Sequence, residues 1–276
     1  MRNNQRRLGA AAKSAPSPAP NNSGLAFAVP TEFVELPSRG AFYPEGHPLH
    51  NQETVEIKFM TAKDEDILSS QALLKKGLAI DRLLDSLLVD DIDSTKLLAA
   101  DRSAILIAAR ISAYGSEYGV EYVCGKCVSK NSDNYDLKEA LVEDGCFDEK
   151  FLAQENIIFN SETSTFDFVL PSTGVSVGVS FIDGSGEKSF FSATSNEESL
   201  VTSMLASFLN KVNENQDPDY VSSFIEVMPA KDSKYLRDVY AKLAPAIRLR
   251  KEFECQTCLH VETKEVPLSA EFFWPR

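Results

Sequence analysis

Apolar and polar residues recur with two different periods along this chain, and the changes of period mark out its elements. VEIKFM, from Val55 to Met60, alternates as a strand does. A helix start follows, with Thr61 as N-cap and Asp64 three residues on, a variant of the capping box. The helical period then predicts helices over 64–76, 80–89 and 101–114, the last stopped by Gly115. Leu83, Leu84, Leu87 and Leu88 form one apolar stripe, and Ile105, Ala108, Ala109 and Ser112 form another. Ahead of them, TEFVELPSRGAFYPEGHPL sets Phe33, Val34, Leu36, Phe42 and Tyr43 among Pro and Gly. That mixture reads as an extended, turn-rich leader packed on a domain.

Alternation returns in SEYGVEYVC and AIRLRKEFEC, each predicted as a strand running into a cysteine pair, and HVETKEVPL leads away from the second pair. Between them the pattern predicts a helix near 136–142, strands at TFDFVL and VSVGVSFI, and helices over 196–213, 218–227 and 233–243. Phe272, Phe273 and Trp274 stand almost at the C-terminal end. They are expected to tuck into the core, because exposed aromatic clusters invite aggregation. Residues 1–30 are dominated by Ala, Pro, Asn and Ser, with Arg2, Arg6, Arg7 and Lys13, and are expected to form a disordered basic tail.

Charge narrows the partners. The chain of 276 residues carries 41 acidic against 28 basic side chains, a formal net charge of −13. Such a surface disfavours nucleic acid, whose binding needs clustered Lys and Arg, and favours basic partners. No apolar run is long enough to span a bilayer. The N-terminus lacks the apolar stretch of a secretory signal, so a reducing cytoplasm is expected and the five cysteines should be thiols or metal ligands.

Four of those cysteines form the most informative chemistry. Cys124 and Cys127 sit in EYVCGKC, and Cys255 and Cys258 in EFECQTC. Two residues between thiolates let the backbone turn tightly, so both sulfurs point at one ion. Two such knuckles make the tetrahedral sulfur cage that zinc favours, one ion per chain. An iron–sulfur centre takes the same ligands. A thioredoxin-like motif would need a helix behind each pair, which neither has. His260 reads as a surface histidine, and Cys146 as a small buried or partly exposed thiol.

The expected fold is therefore α+β. A strand-plus-helices unit over 31–115 is followed by a split zinc ribbon over 116–276, whose halves, 116–128 and 245–276, flank a mixed α/β insertion at 129–244. Catalytic constellations are thin. Only three histidines exist (His47, His50 and His260), and the glycines around GVEYVCGKC and DGSGEKS miss phosphate-loop spacing, so both read as ordinary loops. No catalytic residue is expected, and four thiolates leave a zinc ion no open position.

FVELPSRGAFYPEGHPL, VEIKFMTAKDEDILSSQALLKKGLAIDRLLDSLLVDDID, the paired CxxC knuckles and the closing EVPLSAEFFWP resemble the baseplate hub protein family of T-even-type contractile-tailed bacteriophages. The resemblance implies a non-enzymatic role in building the phage tail baseplate, with other tail proteins as partners. It implies a place in the host cytoplasm during assembly and in the virion baseplate if the protein is retained there. An assembly chaperone absent from the mature virion is the alternative. A regulatory enzyme with an accessory zinc ribbon belongs to a different class, which an activity screen would expose.

Overall fold

The computed structural model describes residues 29–194, 200–266 and 270–273. The leader begins with β1 (Thr31–Glu35), which pairs antiparallel with β2 (Thr54–Lys58). Between them the chain folds into turns around Gly40 and buries Leu36, Tyr43 and Leu49. Asp64 accepts hydrogen bonds from the Thr61 N–H and hydroxyl at 2.8 and 2.7 Å, tying down the start of α1 (Ala62–Ser69). The single helix expected over 64–76 is two. Ser70 takes an extended conformation (ψ 105°) and separates α1 from α2 (Gln71–Lys75).

Helix α3 (Ala79–Leu87) buries Leu83, Leu84 and Leu87 completely, each worth about 2–3 kcal/mol of transfer free energy. Helix α4 (Ala99–Tyr114) ends at Gly115 and packs against β1 and a short 3-10 turn at Ala270–Phe273. Asp101, wholly buried on α4, fastens the leader. It accepts from Ser38 N–H (3.0 Å), Ser38 hydroxyl (2.6 Å) and Tyr43 hydroxyl (2.7 Å), and the Tyr43 oxygen accepts the Leu98 N–H. Phe272 and Phe273 are buried in the same core, as expected. Arg110 holds them there, donating to the carbonyls of Phe272, Gly115 and Glu117. Trp274 and residues 1–28 of the tail expected over 1–30 lie outside the described residues.

Beyond Gly115, β3 (Glu117–Val123) and β4 (Lys130–Asp136) form one antiparallel hairpin. The first knuckle unit thus continues past the 116–128 expected for it. The helix expected near 136–142 is absent. Asp136 caps a 3-10 turn at Leu137–Glu139, and β5 (Leu141–Glu143) then pairs with β10 (Ala246–Arg248). The intervening segment carries α5 (Glu149–Gln154) and a four-stranded antiparallel sheet of β6 (Ile158–Asn160), β7 (Thr165–Val169), β8 (Ser176–Val179) and β9 (Leu209–Val212), in that order.

DGSGEKS is not a loop. Gly184 starts α6 (Gly184–Thr194), and its missing side chain makes room for the Arg102 guanidinium, 2.5 Å from where a Cβ would sit. Of the helix expected over 196–213, residues 196–199 lie outside the described residues, and α7 (Leu200–Ala206) covers the next part. The end of that stretch is instead strand β9, drawn into the sheet by buried Leu209 and Val212. Helix α8 (Pro218–Val227), capped by Asp217, lies where expected, and α9 (Ala230–Leu243) starts three residues ahead of the 233–243 expected for it; both pack into the core against the sheet. The strand expected over 246–255 breaks at buried Leu249 into β10 and β11 (Arg250–Glu254), and β11 pairs with β12 (Val261–Glu265).

The architecture is α+β, with small antiparallel sheets and nine α-helices among the described residues. Two apolar cores result. One joins the leader, α3 and α4 to Tyr118 and Val120 of the first knuckle hairpin, to Phe253 of the second and to Val266 just beyond it. The other lies between the four-stranded sheet and α7–α9. Phe42 and Phe181, ring centroids 4.9 Å apart, pack against both.

Candidate metal centre

Both knuckles are built to one plan. In the first, the Cys124 N–H donates to the Ser129 carbonyl and the Val128 N–H returns to the Cys124 carbonyl, each at 3.0 Å. In the second, the Cys255 N–H donates to the His260 carbonyl and the Leu259 N–H to the Cys255 carbonyl, each at 2.9 Å. The residue after the second cysteine is left-handed in both, Val128 at φ 59° and Leu259 at φ 55°. A β-branched residue rarely accepts that conformation, so the turn geometry imposes it. The strands entering the turns also match: Tyr122 and Phe253, each two residues before its first cysteine, pack as a tilted pair with centroids 4.4 Å apart.

The structure brings all four predicted cysteines together. Their sulfurs lie within 4.8 Å of one another, with Cys127 to Cys255 at 3.5 Å and Cys124 to Cys258 at 3.8 Å. Four thiolates at the usual zinc–sulfur length of about 2.3 Å on a tetrahedron would stand about 3.8 Å apart, so the donor set and its spacing fit one metal ion. Cys124 and Cys255 are buried, Cys258 is partly so, and Cys127 faces solvent. His260 supplies its backbone carbonyl to the turn and is no member of the cluster.

Protons are shared unevenly among these thiols. The Ser129 hydroxyl, 3.2 Å from Cys255 Sγ and 3.0 Å from Cys127 Sγ, pulls both thiols down, Cys255 to about 5. Cys258 receives a lowering hydrogen bond from the His260 backbone, yet burial and the neighbouring sulfurs push it up to about 12. Four thiols this close cannot all ionise beside one another, and a divalent cation removes that conflict. Cys146 lies elsewhere, buried in the second core, and burial raises its thiol to about 12.

Two residues at the site escaped the sequence reading. Asn131 is buried, and its side-chain amide donates to the Ser129 carbonyl (3.0 Å) and lies 3.7 Å from Cys255 Sγ. Ser129 is the other. Spacing motifs name ligands only, and an Asn on a strand that begins three residues after Cys127 is the one signal available.

Among the described residues no helix is long and apolar enough to cross a membrane. The family described as T4 bacteriophage base plate protein matches residues 31–274. No curated protein and no solved structure matches the chain.

Proposed function

Since the chain belongs to the T4 bacteriophage base plate protein family, we propose that it is a non-enzymatic baseplate hub component or hub assembly protein clamped by one structural zinc ion. The family match over nearly the whole chain carries this reading and supports phage tail proteins as its partners. Cys124, Cys127, Cys255 and Cys258 are the proposed ligands, supported by the convergence of their sulfurs. With all four positions of the ion taken by sulfur, the metal has no site for substrate, and its work is to hold hairpins β3–β4 and β11–β12 together. The division into a unit at 31–115 and a zinc ribbon interrupted by an insertion is part of the same proposal. So is residence in the host cytoplasm during assembly.

Hub component and assembly protein part company in the finished particle. Quantitative mass spectrometry of purified mature virions, compared with assembling baseplates from infected cells, measures the chain in both. A component is present in both at a fixed ratio to other baseplate proteins. An assembly chaperone is found in the intermediates alone, and absence from both overturns the proposal.

A further inference from the structure

Each hairpin reaches into the turn of the other. The Gln256 N–H, in the second knuckle, donates to Asn131 Oδ1 at 3.0 Å, and the Gly125 N–H, in the first, donates to Glu262 Oε1 at 2.8 Å. The two bonds are equivalent. Each donor is the residue directly after the first cysteine of its pair, and each acceptor is the second residue of the strand leaving the opposite pair. At this position an amide fixes the orientation of the peptide next to a ligand, so the bond steers the cysteine itself.

The Asn131 bond is part-buried, and the Glu262 bond lies at the surface. Asn131 is 6% exposed, and its other end donates to the Ser129 carbonyl, so one side chain spans both knuckles. Glu262 is held below the usual carboxylate range by the Gly125 N–H, with further help from Lys264, 3.2 Å away. A Cβ at position 125 would lie 2.8 Å from Glu262 Oε2, so the glycine lets the carboxylate close on the turn.

We propose that Asn131 and Glu262 are reciprocal latches that lock the two hairpins in register so that the four sulfurs converge before metal arrives. They are positioning residues, acting through the cysteines, and the inference rests on the metal reading given above. A preformed cage binds without the ordering cost that separate knuckles would incur, and outer residues of this kind typically change metal affinity by about 10–100-fold.

Cobalt(II) is the probe, because its visible bands report tetrahedral thiolate ligation. The full chain is titrated as wild type, Asn131→Leu, Glu262→Leu and Glu262→Gln, with amide exchange at Gly125 and Gln256 followed in each. The latches predict cobalt affinity about 10–100-fold weaker in both Leu variants, with altered bands, and near-normal binding in Glu262→Gln, which keeps an acceptor oxygen. They also predict slow exchange of Gly125 in the wild type, lost in Glu262→Leu, and of Gln256, lost in Asn131→Leu. Wild-type affinity and bands in both Leu variants overturn the latches and leave the metal site standing. A wild type that takes up no cobalt overturns the metal reading instead. The latches are then judged by exchange alone, and fast exchange of both amides in the wild type overturns them. Should Asn131→Leu fail to fold, the Glu262 pair decides by the same readings.

Discussion

At Gly40 the backbone turns through φ +68°, and a Cβ there would meet Gln52 N and Leu49 O at 2.4 Å. Both neighbours are backbone, so they cannot step aside. Gly40→Ala should cost about 2–4 kcal/mol in urea unfolding, with the slope unchanged. The leader thereby gains a fixed shape, which it presses onto buried Asp101. Asp101→Ala would strand the Ser38 N–H and the Ser38 and Tyr43 hydroxyls and should cost a further 2–4 kcal/mol or so by the same measurement. Single residues differed in how readable they were. Cys124, Cys127, Cys255 and Cys258 announced themselves by spacing, because metal chemistry demands it. Asn131 and Glu262 did not, because their partners lie over a hundred residues away in sequence.

Elements with a strong local signal were readable, and those decided by distant partners were not. Helix α8 lies where its period places it, and α4 ends at the expected Gly115 while starting two residues early. The stretch 209–212 was read as helix because its apolar spacing allows one, but pairing with β8 makes it strand β9. Leu141–Glu143 is likewise a strand only because β10 lies beside it. Asp232 shows how a helix start is tied to a distant turn. Burial pushes its carboxyl up, but donors from Ser172 and Thr173 outweigh that and hold it below the usual value. A carboxylate depressed in the folded state stabilises above its unfolded pKa, and that stability is lost as pH falls through the folded value. Asp232→Asn should therefore lower stability by about 1–3 kcal/mol at pH 7. It should also make the decline below about pH 4 shallower, as followed by denaturant titration across pH.

For the whole molecule, an ion bound by both knuckles closes a loop of well over a hundred residues, running from Cys127 to Cys255. By analogy with a disulfide of that span, closure restricts the unfolded chain by on the order of 5 kcal/mol. Cys255→Ser should then reduce amide protection in Glu117–Val123 as well as in Arg250–Glu265, while Ile105–Tyr114 in α4 keeps most of its own. Loss confined to a few residues around Cys255 would mean that the knuckles are separate features. The overall α+β class and the meeting of the two pairs were legible, since both follow from periodicity and ligand chemistry. The route between them was not, because it depends on which strands meet across the sheets. The central claim is that a single zinc ion joins the knuckles, and elemental analysis coupled to native mass spectrometry of protein purified without added metal tests it most directly. The account predicts one zinc per chain in the wild type and its loss in Cys255→Ser. A folded wild-type chain at its metal-free mass, with all four thiols open to alkylation, would contradict it.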